Sequence, residues 1–524
     1  MKNIFKNILM GTLLVMLFSR CGEDELVVSN PNEIDAANFF TSVSDLELSL
    51  TAVYSAMKTY DLFGADLYPK VHFGLPKTAD QDWLGTDGWN QLFRNEVVPE
   101  NNLVRNFWRA FYRGVSRAND FLANAENYLE QKEPTQAEVT RINEMIGEAS
   151  YLRAFFYFHL IRLWGEEIPA RAEQALGVPL ILSIPESRDE MFVSRATVGE
   201  VYQQIIADLE TAESALPDSW NSDNVARVDA FSAKAMLGKV YMMYENYPQA
   251  INYFEQIINS GEFSLVPFED YQGLFNGENE FSDESLFEIN FAVDFQENAW
   301  QGGLGSNIAL QISPKGTGWS NVYPHDVNIL RFGDDPRLRV NALEPGVDSV
   351  VFGDGTKQPL QVMVDDENAI GWSFRKWVPT DFSVYSTNRT FGANLIMDRL
   401  ADIYLLYAEA LNAQGNDDMA AEYMNKVRRR AYGLDPEMPS AEVDYNVTGT
   451  QLRDSIREER FRELFAEGHR WYDIVRWDIV EEEIAKYPRV RSGAVIYNPI
   501  DYYLPVPQQE LDINPNMQPS TGYQ

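Results

Sequence analysis

Seven of the 11 tryptophans in this chain of 524 residues sit in irregular or turn-rich stretches: Trp83, Trp89, Trp220, Trp300, Trp319, Trp372 and Trp377. Exposing an indole to water is unfavourable, so a ring held in a loop points either to packing or to a ligand. Two groups stand out, Asp82-Trp83…Trp89-Asn90…Arg94 and Trp300…Trp319…Tyr323. Their chemistry suits the binding of sugar rings. A pyranose has an apolar face of axial C–H bonds that a flat indole covers, and its hydroxyls point outward round the rim. Asp82, Asn90 and Arg94 are the residues to hydrogen-bond hydroxyls there. For every one of these tryptophans the alternative is loop-anchoring packing. Trp372 and Trp377, beside a strand-like run, are read that way first.

Nothing comparable supports catalysis. The acidic pairs Asp334-Asp335 and Asp365-Asp366 are adjacent in the chain, whereas a glycosidase needs its two carboxyls on either side of the scissile bond. They read as turn residues or a casual cation site. No HExxH, GxSxG or phosphate-binding glycine loop occurs. His72, His159, His325 and His469 have no ligand spacing, and 1 cysteine with 4 histidines does not make the usual zinc set. The expectation is a protein without catalysis, metal or cofactor. The charged stretch 451–476 places Arg and Glu at helical spacing, which reads as surface ion pairs or a subunit face.

Charge narrows the ligand further. The chain carries 43 basic and 79 acidic residues, a net charge of −36. Such a surface repels phosphate backbones, which argues against nucleic acid. It also favours a neutral oligosaccharide or polysaccharide, such as a glucan, over alginate or sulfated glycans.

These residues need elements to hold them, and most of the chain reads as amphipathic helix. Trp108, Tyr112, Val115, Asn119 and Leu122 recur at spacings of three and four. Residues 142–164 are apolar nearly all round, so that helix is expected to be buried on several sides. Thr197-Val198-Gly199-Glu200 is a capping box opening the next helix, and Pro217 marks its end. Leu237-Gly238-x2-Tyr241 followed by Ala250-x3-Phe254 matches the tetratricopeptide pattern, in which small residues let paired helices approach and large ones fill the groove. Residues 404–424 repeat that phase more weakly, with Asn246 and Asn416 at the same place in the inter-helix turn. Between the copies, 262–395 is rich in Gly, Pro, Asn and Asp and reads as loops and short strands. Residues 61–99 have a similar irregular character.

The first residues read as a targeting segment. Lys2 and Lys6 precede the apolar run Ile8–Phe18, too short to span a bilayer, and Leu17-Phe18-Ser19-Arg20 leads into Cys21, the only cysteine. This resembles a bacterial lipoprotein box, with Arg20 where Gly, Ala or Ser is usual, and it marks Cys21 for lipidation and anchorage to the outer membrane. The acidic Gly22-Glu23-Asp24-Glu25 resembles a surface-export signal.

Several strings, in order from about residue 30 to 523, resemble the SusD/RagB family of outer-membrane nutrient-binding lipoproteins. They are Gly147-Glu148-Ala149-x2-Leu152-Arg153-Ala154-x2-Tyr157-Phe158; Arg195-Ala196-Thr197-Val198-x-Glu200-Val201-Tyr202; Asp335-Pro336-Arg337-Leu338; Arg399-Leu400-Ala401-Asp402 through Ala410; Arg457-Glu458-Glu459-Arg460 through Arg470-Trp471; and Tyr503-Leu504-Pro505-Val506-Pro507-Gln508 with Asn514-Pro515. The resemblance implies a mainly α fold of tetratricopeptide-like helical pairs, decorated by an irregular loop- and short-strand-rich insertion that forms the ligand-binding part. It implies ligand aromatics from the segment before the first long helix and from the insertion. It also implies a partner, a SusC-type TonB-dependent transporter, to which the lipoprotein delivers captured oligosaccharide.

The expected organisation is therefore a signal peptide at 1–20, a lipidated acidic tether at 21–37, an N-terminal helical region at 38–261 including the segment 61–99, a ligand-binding insertion at 262–395, and a C-terminal helical region and extended tail at 396–524. The leading function is glycan capture for uptake at the cell surface. The alternatives are capture of peptide or protein-derived nutrients by the same lid mechanism, a lipid-anchored glycoside hydrolase, and a generic helical-repeat scaffold.

Overall fold

The computed structural model describes residues 40–81, 86–293, 304–363, 370–379, 381–383, 391–487 and 502–523. Cys21, Asp82, Trp83, Trp300 and the pair Asp365-Asp366 lie outside them. Helices dominate, and the long ones up to residue 258 each start where the sequence provides a cap. Helix α1 (Val43–Met57) opens on Ser42 with Asp45 three residues on. After it come β1 (Ala79–Gln81) and the short α2 (Asp87–Arg94). Helix α3 (Asn102–Gln131) is capped by Asn101, whose side chain accepts from Leu103 N at 3.0 Å and Val104 N at 3.2 Å. Helix α4 (Gln136–Trp164) opens on a Thr135–Glu138 capping box and is buried on several sides, Phe155 to Phe158 included, as its composition predicts. Helix α5 (Val198–Ala215) has the expected box, with Thr197 N donating to Glu200 Oε2 at 2.8 Å.

The tetratricopeptide-like pairs follow. Helices α6 (Ala230–Met243) and α7 (Tyr247–Ile258) form the first. The second is α9 (Leu400–Ala413) with α10 (Asp417–Ala431), after the intervening α8 (Ile308–Ile312); α11 (Gly449–Glu463) and α12 (Arg470–Arg476) complete the series. Helix α3 packs on α1, α4 on α3, α5 on α4, α6 on α5 and α7 on α6, and α9 then packs on α7. The two repeat copies are therefore neighbours in space and share one apolar core, including Phe254, Ile257, Leu406 and Met424. Asn246 caps α7, accepting from Gln249 N at 3.4 Å, and Asn416 holds the same position before α10.

Gly238 shows why the first pair needs its small residue. A Cβ built there would lie 2.3 Å from the ring of Phe254, which is fully buried and has no room to swing away. Alanine is the better helix former by about 1 kcal/mol, but overpacking costs about 1–3 kcal/mol. Gly238→Ala is therefore expected to lower the urea midpoint. An unchanged or raised midpoint would show that the pair has slack.

The insertion is closed at its base. Strand β2 (Ser285–Ile289) pairs antiparallel with β4 (Leu395–Arg399), Leu395 opposite Ile289, so the chain leaves and rejoins the helical stack at one ribbon. Between them lie short strands, among them β3 (Val322–Pro324), as composition predicts, and also short helices such as α8, which it does not. The stretch 61–99 also differs from expectation: it holds a π-type turn at Tyr68–His72, β1 and α2.

The charged stretch 451–476 is a correction too. Glu459, Arg460, Glu463 and Glu467 are at most 3% exposed, and they pair with buried groups from elsewhere in the chain. Asp335 is a turn residue locked onto Arg337, 2.8 Å away. Among the described residues no helix is long and apolar enough to cross a membrane.

Candidate functional site

Strand β1 runs antiparallel to β3, with Ala79 opposite Pro324, Asp80 opposite Tyr323 and Gln81 opposite Val322. The two expected tryptophan regions are far apart in sequence, and this ribbon joins their neighbourhoods: β1 ends at Gln81, just before Asp82-Trp83 in the chain, and Trp319 lies just before β3. Trp319 is fixed by its backbone. Its N–H and that of Ser320 donate to Leu310 O at 2.8 and 3.2 Å, and Asn321 N donates to Gln311 O at 2.7 Å. Its ring is half-buried against the main core.

A line of polar contacts runs from α8 back to α2. Gln311 Nε2 donates to Ala65 O at 3.0 Å and lies 3.4 Å from Asp66 Oδ1. Asp66 pairs with Lys70 at 2.5 Å, and the Lys70 ammonium sits 4.7 Å over the Trp89 ring. Burial raises the Asp66 carboxyl even though Lys70 pulls it the other way. The backbone repeats the link, Asn307 N donating to Gly64 O at 2.7 Å. Both regions thus stand on one rigid support.

Individual residues divide between packing and surface. Trp89 is 3% exposed, because it lies on the inner face of α2 with Leu92 and Phe93, and its N–H is held by the Thr86 cap. The expectation of an open loop indole is corrected at this position. Tyr323 is 4% exposed and its hydroxyl donates to Asp80 Oδ2 at 3.1 Å, so it too is a packing residue. Asn90 is half-buried on the outer side of α2. Arg94 stands between Asp87 at 3.9 Å and Glu96 at 3.7 Å, partly exposed. Trp319, Asn90 and Arg94 are thus the expected site residues, among those described, that keep open surface.

The other tryptophans are structural. Trp108, Trp164 and Trp471 are buried on helices, and Trp477 is buried just past the end of α12. Trp377 donates from Nε1 to Ala466 O at 2.8 Å, Trp220 to Val228 O at 2.9 Å, and Trp372 is buried beside Ile329 with Arg339 5.2 Å over its ring. Sequence reasoning missed Asp66, Lys70 and Gln311, which hold the two regions together. The i,i+4 spacing of Asp66 and Lys70 was the only local signal. Histidines missed by spacing also meet: His72, His159 and His469 line a cavity of about 40 Å³ between the π-type turn, α4 and the start of α12. Among the described residues no acid, histidine and cysteine cluster suits a metal.

A family model described as "SusD family" matches residues 356–523, and one described as "Starch-binding associating with outer membrane" matches residues 31–242. SusD-like protein P25 of Formosa agariphila is 25% identical over 548 residues, covering 97% of this chain and 97% of that protein. A SusD superfamily protein from Bacteroides vulgatus superposes with a TM-score of 0.74 at 24% identity, over 92% of this chain and 100% of that one. A laminarin-binding SusD-like protein gives 0.72 at 24% identity, over 92% and 99%. At this identity the two structures speak for a shared fold.

Proposed function

The chain belongs to the SusD/RagB family, and from that premise we propose that it is a non-catalytic surface lipoprotein that captures a neutral oligosaccharide or polysaccharide. In this reading Cys21 carries the lipid anchor, and the captured glycan passes to a SusC-type TonB-dependent outer-membrane transporter. The observation that supports the reading is the β1–β3 ribbon, which pairs Gln81 with Val322, three residues after the partly open Trp319. A pyranose face on that indole excludes water, and Asn90 and Arg94 supply rim hydrogen bonds that fix orientation. The laminarin-binding neighbour supports a glycan as cargo. Engagement of Asp335 by Arg337 supports the absence of hydrolysis.

The test pairs two variants of the full chain in mild detergent. The parent is expected to bind laminarin or soluble starch in preference to alginate, with a Kd from roughly micromolar to millimolar, about −8 to −4 kcal/mol. Trp319→Ala should lose on the order of 2 kcal/mol of binding while melting like the parent. Trp89→Ala should instead lose about 3–5 kcal/mol of stability. Parent protein that binds no polysaccharide, or Trp319→Ala protein that binds as well as the parent, would sink this reading.

A further inference from the structure

Along α3, Arg105, Arg109, Arg113 and Arg117 recur at every fourth position. Neighbouring like charges at this spacing repel. Among the described residues none of the four forms an ion pair, although the chain has 79 acidic residues to offer. Arg117 is held by Ala52 O at 2.8 Å and Arg105 reaches Asn106 at 3.5 Å, while Arg109 and Arg113 are exposed on the edge of a groove of about 490 Å³. Arg109 and Arg113, exposed and without an ion pair among the described residues of an acidic protein, leave their charge to a partner from outside.

The opposite wall has different chemistry. Ile184 is 47% exposed and Met191 is 63% exposed, and both line the groove; Ile513, 59% exposed, adjoins its far end at Asn514. The groove is preformed. Tyr112 Oη donates to Pro179 O at 2.8 Å, Tyr157 Oη to Ile181 O at 2.8 Å, and Asn514 Nδ2 to Val193 O at 2.8 Å, which ties α3, the 179–193 loop and the tail into one unit. Two acids share the lining. Glu190 is occupied by Glu186 N and Ser187 Oγ, and Glu510 faces Arg109 without pairing.

We propose that this groove docks an amphipathic acidic segment of another polypeptide, its carboxylates on Arg109 and Arg113 and its aliphatic side chains on Ile184 and Met191. An anionic saccharide fits less well. Trp108 is 3% exposed, which leaves the half-buried Tyr112 as the groove's one partly open ring, short of a platform for a chain of sugars. The inference does not rest on the glycan reading, and its outcome is independent of Trp319.

The experiment uses the full chain in mild detergent and fluorescence anisotropy. The probes are a labelled peptide of repeating Glu-Leu pairs, an all-Glu peptide of equal charge, and polygalacturonate. The Glu-Leu peptide is expected to bind best and to weaken as salt rises. Arg109→Gln with Arg113→Gln should weaken it about tenfold or more, with little change in melting temperature, since both side chains are exposed and neither forms an ion pair among the described residues. Ile184→Asp with Met191→Asp should weaken it several-fold. The proposal is overturned by an absence of peptide binding to the parent, by equal binding to the variants, by equal binding of the all-Glu peptide, or by arginine-dependent binding of polygalacturonate in preference to the peptide.

Discussion

Replacing Glu463 with glutamine is expected to remove at least about 3 kcal/mol of stability and to free the insertion before the helices melt. Glu463 is 0% exposed and lies at the centre of a buried ionic network. It accepts from Arg337 at 2.9 Å, from Arg399 at 2.7 Å, from Arg430, and from the Tyr271 hydroxyl at 3.1 Å. Glu284 bridges Arg399 and Arg430 at 2.7 and 2.8 Å, Glu459 holds Arg337 at 2.7 Å, and Glu467 holds Arg399 at 2.7 Å and Lys376 at 2.8 Å. Arg337 and Lys376 belong to the insertion, Arg399 ends β4, Arg430 sits on α10, and Glu463 closes α11.

Bringing these charges out of water is costly, and only their mutual pairing compensates. Glutamine keeps the size and one acceptor but removes the charge, so three buried guanidinium groups lose part of their compensation at once. The flanking cations hold the Glu463 carboxyl far below its ordinary value. A carboxyl shifted down contributes stability that is present above its unfolded pKa, about 4.3, and that fades as pH falls through the folded value. The loss caused by Glu463→Gln should therefore be full at neutral pH and shrink in strong acid. Hydrogen exchange should show residues 337–343 and 373–378 deprotected first. Protection lost only within α11, or a urea midpoint within about 1 kcal/mol of the parent, would mean that the network does not tie the insertion down.

Helical pairing was legible because its signals are local. The capping boxes at Thr135 and Thr197 and the Gly238–Phe254 fit are set by residues within one or two helices. Trp89 was legible in principle: Thr86 as cap and Trp89, Leu92 and Phe93 at helical spacing describe the short α2 that buries it. The buried network was not. Alternating Arg and Glu in 451–476 has the same periodicity whether the partners are water or Arg337, and those partners come from segments that fold in from far along the chain. Trp319 owes its position to backbone hydrogen bonds onto α8, which side-chain types do not encode. The convergence of the histidines is likewise topological, since His72, His159 and His469 have no common period.

That convergence predicts acid sensitivity, and the sign can be worked out. His72 Nε2 is 3.1 Å from the Tyr472 hydroxyl, and its ring lies 4.7 Å from that of Tyr68. His159 Nδ1 accepts from the Arg162 guanidinium at 3.0 Å, with Phe155 and Phe63 rings at 4.5 and 5.2 Å. Burial and the Arg162 charge hold both imidazoles well below 6.5; His469, 3.8 Å from Asp402, is shifted the same way. The other charged groups at the cavity are Lys239, paired with Asp398 and Asp402, and Glu467, paired with Arg399. An imidazole kept neutral in the fold but free to protonate when unfolded gives stability above its unfolded pKa, and that stability drains as pH falls below it. Each approaches about 1.4 kcal/mol per pH unit once below its unfolded pKa, so His72 and His159 together remove about 3 kcal/mol between pH 6.5 and 5. Asp229 works against this. Its carboxyl is pushed up to about 6 by burial, so protonation favours the fold below that pH, regaining about 1.4 kcal/mol by pH 5. Asp66, Glu148, Asp208 and Glu288 are raised by burial in the same way, and a variant isolates the histidine from every carboxylate. His159→Asn keeps an acceptor where Nδ1 stood but has no proton to gain. Its stability, measured by urea at pH 7, 6 and 5, should start lower than the parent's through lost ring packing and then fall less steeply, by a difference that approaches about 1.4 kcal/mol per pH unit below pH 6. Parallel slopes for the two proteins would show that His159 gains its proton as readily folded as unfolded.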